Sequence, residues 1–344
     1  MTRPSAGPLR IGLIGAGMIG TFRARALGAV KDARLSAVAD ADPDRARRLA
    51  HRANATVYDN GGALASAPDI DAVILSTPPA LHEPLGLACL RAGKHLLVEK
   101  PLAVSVEACE NLVEAAERAG LCLATGFTLR QTPAARLARR LVDEGAIGAV
   151  VHVRAFHGHR GGPDFGPAWV TDATVSGGGT LMDNGIHVID LARWFLGDVG
   201  EVSGLAAGSV WHKPGCEDNS FLLMRATSGA IGCVHSSWTE WRGYGYRVEV
   251  YGAHGFMRFG YPPLWLTWGQ GEPGMKMRTR RRVFAAYQVI ERLRGWQWSL
   301  IETLRLDIED WVAAIRAGRP APASGRDGLE AVRAAKSAHW EVGP

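Results

Sequence analysis

The chain has 344 residues, 47% apolar and 21% charged, which suits two globular domains with sizeable cores and excludes a disordered chain. Lys and Arg number 39 against 34 Asp and Glu, a net charge of +5. The basic residues are scattered, so nucleic acid is not the expected partner. Five cysteines (Cys89, Cys109, Cys122, Cys216 and Cys233) contain no CxxC pair. They exclude a disulfide scaffold and a zinc ribbon and suit a reducing cytoplasm.

Residues 1–10 carry no continuous apolar run, so a secretory signal is not expected. No stretch of about 20 residues is apolar enough to span a bilayer. The expectation is a soluble cytoplasmic chain with no membrane partner.

Leu9 to Ile14 reads as a buried strand and Thr21 to Ala29 as a helix, and between them Gly15-Ala16-Gly17-Met18-Ile19-Gly20 matches GxGxxG. In that pattern Gly15 permits a tight turn, Gly17 lets the backbone approach a pyrophosphate, and Gly20 lets helix and strand pack closely. Met18 and Ile19 lie inside the same turn. A second strand, Leu35 to Ala39, ends at Asp40, 20 residues beyond Gly20. A carboxylate there accepts ribose hydroxyls and repels a 2'-phosphate, so NAD is expected, with NADP not excluded. Arg45, Arg47 and Arg48 read as the solvated face of the next helix, although a 2'-phosphate is a second use for them.

The alternation continues. Ala72 to Leu75 is a strand stopped by Ser76-Thr77-Pro78-Pro79, Glu83 to Arg91 a helix, and His95 to Val98 a strand running into Glu99-Lys100-Pro101. Val104 to Ala119 is a helix and Leu121 to Thr125 a sixth strand. This is a doubly wound parallel sheet of Rossmann type, and residues 1–125 are expected to form a dinucleotide-binding domain. Ser76, Thr77, Pro78, Glu99 and Lys100 follow the carboxyl ends of strands, where open sheets bind ligands. Lys100 reaches a cofactor or substrate, or else pairs with Glu99 as a loop lysine. His82, at a helix start, is a cofactor-loop candidate whose other role is capping or packing.

Residues 126–344 are expected to form an α+β domain for substrate and oligomerisation, whose C-terminal helix packs back on the first domain. Thr132 to Glu144 reads as a helix. Strands are expected at Val151–Phe156, Glu201–Trp211, Asn219–Ala226, Ile231–Trp238, Tyr246–Tyr251 and Gly255–Phe259, giving a large, mostly antiparallel open sheet of five or six strands. Between the first two, Gly177-Gly178-Gly179 opens a helix-like run to Gly197. Asp183 and His187 stand four apart on it, with Asp190 three further on. A carboxylate beside a histidine suits proton abstraction from an alcohol, or a purely structural hydrogen bond. From Tyr261 to Trp298 the pattern reads as a Pro/Gly-rich entry and an arginine-rich helix, with Arg280, Arg281 and Arg282 at its start and an interface or a neighbouring site as its use. Leu300 to Ala317 is a further helix.

Taken together, these segments resemble the family of glucose-fructose oxidoreductase, inositol dehydrogenase and MocA. The resemblance runs nearly end to end: Gly15–Gly20, Ser76–His82, Gly93–Pro101 with its EKP, Gly177–Gly197 with its GGGxLxDxGxH, and the closing Gly325–Ala335. It implies that Lys100, Asp183 and His187 meet over a nicotinamide, with Pro101 cis after the lysine. It implies an NAD(P)-dependent enzyme acting on a secondary hydroxyl of a sugar, inositol or related polyol, with His187 as acid/base and Lys100 polarising the oxygen. Substrate-side candidates are Phe127, Arg130, His157, Arg160, Trp169, Trp238, Trp241 and Tyr244, with 158–176 as a loop closing on substrate. His157-Gly158-His159 reads as a strand-end feature, and no metal is expected. Alternatives on the same scaffold are an anhydrosugar, a sugar acid, a cis-dihydrodiol, or redox-neutral chemistry with retained NAD. A non-catalytic dinucleotide sensor is a further alternative. A homodimer or homotetramer is expected through the open sheet.

Overall fold

The computed structural model describes residues 7–162, 166–272 and 274–340, so part of the expected 158–176 loop and Pro273 lie outside the described residues. Two compact units form, one from 1–128 and 295–332, the other from 129–294 and 333–344.

In the first unit the elements are β1 (Leu9–Ile14), α1 (Met18–Leu27), β2 (Ala33–Ala39), α2 (Pro43–Ala53), β3 (Thr56–Val57), α3 (Gly61–Ala65), β4 (Ala72–Leu75), α4 (His82–Arg91), β5 (His95–Val98), α5 (Val106–Ala119) and β6 (Leu123–Thr125). Local chemistry sets the helix ends. The Asp42 carboxylate accepts from the N–H groups of Asp44 and Arg45 ahead of Pro43, and the Ser105 hydroxyl accepts from Ala108 N–H. Gly120 closes α5 at φ 64°. The strands are short and apolar, and β4 is buried along its whole length, as a strand covered on both faces must be. They pair in parallel in the order β3-β2-β1-β4-β5-β6. The order reverses between β1 and β4, which opens a crevice at their carboxyl ends.

The later elements of the chain are α6 (Pro133–Asp143), β7 (Val150–Gly158), α7 (Ala173–Ser176), α8 (Ile186–Leu196), β8 (Val199–Ala207), β9 (Asn219–Ala226), β10 (Ile231–Ser237), β11 (Gly245–Gly252), β12 (Gly255–Tyr261), β13 (Trp265–Gln270), β14 (Arg278–Val283), α9 (Ala285–Arg294), α10 (Trp296–Ala317), α11 (Gly325–Lys336) and β15 (His339–Trp340). Of these, α10 belongs to the first unit, where Leu304, Ile308, Trp311 and Ile315 join Leu9, Ile11, Leu13 and Leu27 in one core.

The second unit is built on a nine-stranded sheet, β14-β13-β12-β11-β7-β10-β9-β8-β15. Only β7–β10 and β8–β15 pair in parallel among its named ladders. Helices α6 and α8 cover one face. On the other, β9 alternates strictly, burying Ser220 and Leu222 and exposing Phe221 and Leu223. Leu205 and Ile231 are exposed on the strands beside it.

Two expectations need correction. The sheet has nine strands rather than five or six, because β13 and β14 extend one edge and β15 the other. The arginine cluster is not a helix start: Arg278 to Val283 is strand β14, laddered to β13, and the helix begins only at Ala285. Every residue of β14 is exposed, so backbone pairing holds it and no apolar alternation marks it.

Candidate active site

The first unit gathers its predicted residues along one edge. Gly15 takes φ +100°, and a Cβ added at Gly20 would stand 1.9 Å from Gly15 O. That contact accounts for both glycines sterically. A Cβ at Gly17 would meet nothing within 4 Å, so the turn opens there. Helix α1 has no side-chain N-cap, and its first N–H groups are left to a ligand or to water. Met18 and Ile19 begin the helix, Met18 exposed. Asp40 stands directly against this turn, with Oδ2 accepting from Ala16 N–H at 2.5 Å and Oδ1 from Asp42 N–H at 2.8 Å. An uncapped helix start, an open glycine and a carboxylate at the end of β2 fit a dinucleotide.

Across the crevice lie Ser76, Thr77 and Pro78 after β4, and Glu99, Lys100 and Pro101 after β5. The Ser76 and Thr77 hydroxyls are buried and have no hydrogen-bond partner among the described residues. His82 does not face the crevice. It is fully buried, with Nε2 2.9 Å from Thr77 O and Nδ1 2.9 Å from Pro101 O, so the ring, donating to one carbonyl and packing against the other, links the two loops. Burial holds its pKa below the ordinary histidine value, against those two carbonyls. Lys100 is half-buried and the Lys100–Pro101 bond is cis.

Glu99 has a partner that the sequence did not suggest. Arg23, on α1 and 0% exposed, donates from Nε to Glu99 Oε1 at 2.7 Å and from Nη1 to Asp307 of α10 at 2.5 Å. Two carboxylates hold the guanidinium pKa above its usual value despite the cost of burial. Gly126 leaves room for this pair, since a Cβ there would stand 2.7 Å from Arg23 Nη2. Phe127 is buried beyond it.

The second unit builds its part around the glycine run. Gly177 and Gly178 take φ +86° and +152°, and Leu181–Gly185 forms one turn of π-helix that continues directly into α8. Such wide turns recur at functional sites. Asp183 lies in that turn and His187 in the first turn of α8, both half-buried. Met182 and Asp183 both donate their N–H to Gly179 O at 3.1 Å. The turn is clamped from the sheet: Asn184 Nδ2 donates to His157 O at 2.7 Å, His157 Nδ1 lies 2.8 Å from Asn184 O, and Thr180 Oγ1 meets Ser236 Oγ at 2.7 Å.

Around Asp183 the structure brings together Trp238, a substrate-side candidate by sequence, and His159, a strand-end feature. Trp238 Nε1 donates to Asp183 Oδ2 at 3.3 Å, and His159 Nε2 lies 3.6 Å from the same oxygen. Tyr244 sets its ring edge-on to His157 at 5.2 Å and is half-exposed, and Trp241 is more exposed still. Trp169 is partly exposed in a short 3-10 turn. Arg130 and His157 are buried supports: Arg130 grips Asp190 through Nε at 2.8 Å and Nη2 at 2.5 Å.

A dinucleotide-binding parallel sheet joined to a large, mostly antiparallel sheet carrying a carboxylate–histidine helix defines an NAD(P)-dependent dehydrogenase or reductase. The match to known families is equally direct. Residues 9–127 match the oxidoreductase family with NAD-binding Rossmann fold, and residues 135–258 the GFO/IDH/MocA C-terminal domain. The chain is 32% identical to inositol 2-dehydrogenase 2 of Saccharopolyspora erythraea, over 96% of this chain and 91% of that one. It is 31% identical to myo-inositol 2-dehydrogenase of Thermotoga maritima, over 94% and 93%. Among solved structures, levoglucosan dehydrogenase in complex with NADH and levoglucosan superposes with a TM-score of 0.85 at 25% identity, covering 96% of this chain and 95% of that one. The chain belongs to the Gfo/Idh/MocA oxidoreductase family.

Proposed function

We propose that this protein oxidises a secondary hydroxyl of a sugar, inositol or related polyol, or reduces the corresponding ketone, with NAD as the preferred cofactor. Bound NAD supplies the hydride acceptor. Gly15, Gly17 and Gly20 with the start of α1 hold its pyrophosphate, and Asp40 its ribose. His187 takes the hydroxyl proton and returns it in the reverse direction. Lys100 donates a hydrogen bond to the reacting oxygen and stabilises the charge that develops there. Asp183 accepts from a neighbouring substrate hydroxyl, kept in place by Trp238 and His159.

The observation that carries this reading is the Asp183 carboxylate in the π-turn immediately before His187, gripped by Trp238 and left half-exposed. Trp241, Tyr244 and Trp169 offer apolar ring faces suited to the C–H faces of a sugar. The inositol dehydrogenases among the relatives and the levoglucosan-bound neighbour support a polyhydroxylated substrate. Asp40, with Oδ2 against the glycine turn and Oδ1 on Asp42 N–H, supports NAD over NADP.

The test is absorbance at 340 nm with NAD or NADP and a panel of inositols, aldoses, anhydrosugars and sugar acids. Turnover on one class is expected, reduced about 10²–10⁴-fold in Lys100→Ala and in His187→Ala. Full activity in either variant refutes the assigned role. The open sheet face, with exposed Leu205, Phe221, Leu223 and Ile231, supports a homodimer or homotetramer formed through it. A monomer by light scattering at micromolar concentration refutes that part.

A further inference from the structure

Glu217 is 2% exposed and lies on the segment between β8 and β9, far in sequence from the helix that carries Asp183. Its carboxylate nevertheless accepts two backbone N–H groups at the start of that helix. Oε2 takes Gly179 N–H at 2.9 Å and Oε1 takes Leu181 N–H at 2.6 Å. Its own carbonyl accepts from Thr180 N–H at 2.9 Å. The approach is so close that a Cβ at Gly179 would stand 2.1 Å from Glu217 O, which is why the third glycine of the run is needed. Gly179 O in turn accepts the N–H of Asp183. One buried carboxylate thus fixes the peptide groups from which the Asp183 turn hangs.

We propose that Glu217 is a positioning residue for the reaction: its buried carboxylate holds the backbone of the turn bearing Asp183, and through it the Asp183–His187 pair. This rests on the reading of those two residues given above. Its consequence is a second ionisation in the pH dependence of catalysis. Burial pushes the Glu217 carboxyl up to about 7, against the two N–H bonds and Lys336. Lys336, the last residue of α11, faces it and donates to Gly177 O at the same glycine run. The neighbouring Cys216 thiol is itself pushed up to about 11, by burial and then by the Glu217 charge. Above pH 7 the ionised carboxylate makes both N–H bonds charge-assisted. Below it, the proton on one oxygen weakens one of them and slackens the turn.

The experiment compares wild type, Glu217→Gln, Lys336→Met and His187→Ala. Three quantities are read from pH 5.5 to 9: kcat on the substrate found in the panel, Tm, and the amide ¹H–¹⁵N shifts of Gly179 and Leu181. In wild type both amides should titrate with the carboxyl, and log kcat should fall through an additional step of about one log unit as pH drops below 7. In Glu217→Gln the amide titration and the additional step in log kcat should both vanish. Its kcat at pH 8 should drop about 10-fold or more, as expected for a misplaced acid–base pair. A purely structural carboxylate predicts a Tm at pH 8 that falls with kcat, whereas removing a buried charge should leave Tm level or higher. Lys336→Met leaves the carboxylate in place and should move the amide titration to higher pH.

An unchanged kcat and pH profile in Glu217→Gln, with His187→Ala inactive, overturns the proposal alone. So do amides that do not titrate between pH 5.5 and 9. An active His187→Ala overturns the catalytic reading and the proposal with it, and it is recognised because the amide titration survives.

Discussion

The buried triad Glu99–Arg23–Asp307 gives a sharp quantitative prediction. Replacing Asp307 by Ala leaves a guanidinium with no exposed side-chain surface facing one carboxylate instead of two. Glu99 still balances the guanidinium, so the loss is one charge-assisted hydrogen bond, with Nη1 left without its acceptor, about 1.5–3 kcal/mol. For a cooperative unit of this size, roughly 2–4 °C of Tm is lost per kcal/mol, so the transition of the first unit should fall by about 6 °C. Differential scanning calorimetry at pH 7.5 reads this directly. The double variant Arg23→Met, Asp307→Leu removes the guanidinium and one carboxylate, leaves Glu99 without its partner, and should recover only part of the lost Tm. It also releases Glu99, so the turn bearing Lys100 is no longer tied to α1. Hydride transfer should therefore stay impaired while stability returns in part. A Tm within 2 °C of wild type in Asp307→Ala refutes the clamp, and full activity in the double variant refutes its role in placing Lys100.

Two further outcomes follow from charges already described. Asp40→Ser should raise the NADP-to-NAD preference about tenfold by removing the repulsion of a 2'-phosphate, read from kcat/KM with each cofactor, and an unchanged ratio removes Asp40 from cofactor choice. Burial lowers the pKa of His82, His95 and His235 below the ordinary 6.5, so the stability that their neutral forms allow is present above pH 6.5 and lost as pH falls below it. Glu217, raised to about 7, acts oppositely: its contribution is present below its unfolded value of 4.5 and lost as pH rises through 7. Tm against pH should therefore peak between about 6 and 7. In Glu217→Gln the loss on the alkaline side should disappear, and a peak unmoved by that substitution refutes the assignment.

How much was legible in the sequence depended on whether burial left a period behind. β1 read residue for residue, because all of it but Arg10 is apolar or glycine and buried, and a glycine turn ends it. β14 did not. Its arginines are exposed on both sides of an edge strand and leave no alternation to read, while close-set arginines look like a solvated helix face. The residues proposed to carry the chemistry, Lys100, Asp183 and His187, stood out because glycine and proline punctuate the turns around them. Their supports did not, since Arg23, Glu217 and Asp307 reach them across large gaps in sequence. Arg23 alone left a trace: it falls on the buried face of α1 with Gly20, Ala26 and Leu27, where an arginine requires a buried partner.

The imidazole of His82 joins two loops that separate strands deliver. Because Thr77 O and Pro101 O share one ring, the cofactor-side loop and the lysine turn form a single mechanical part. Swapping either loop between relatives as an independent module should then carry its partner with it. Redesign at this edge is one engineering problem, to be solved with the 76–82 and 99–101 segments exchanged as a pair.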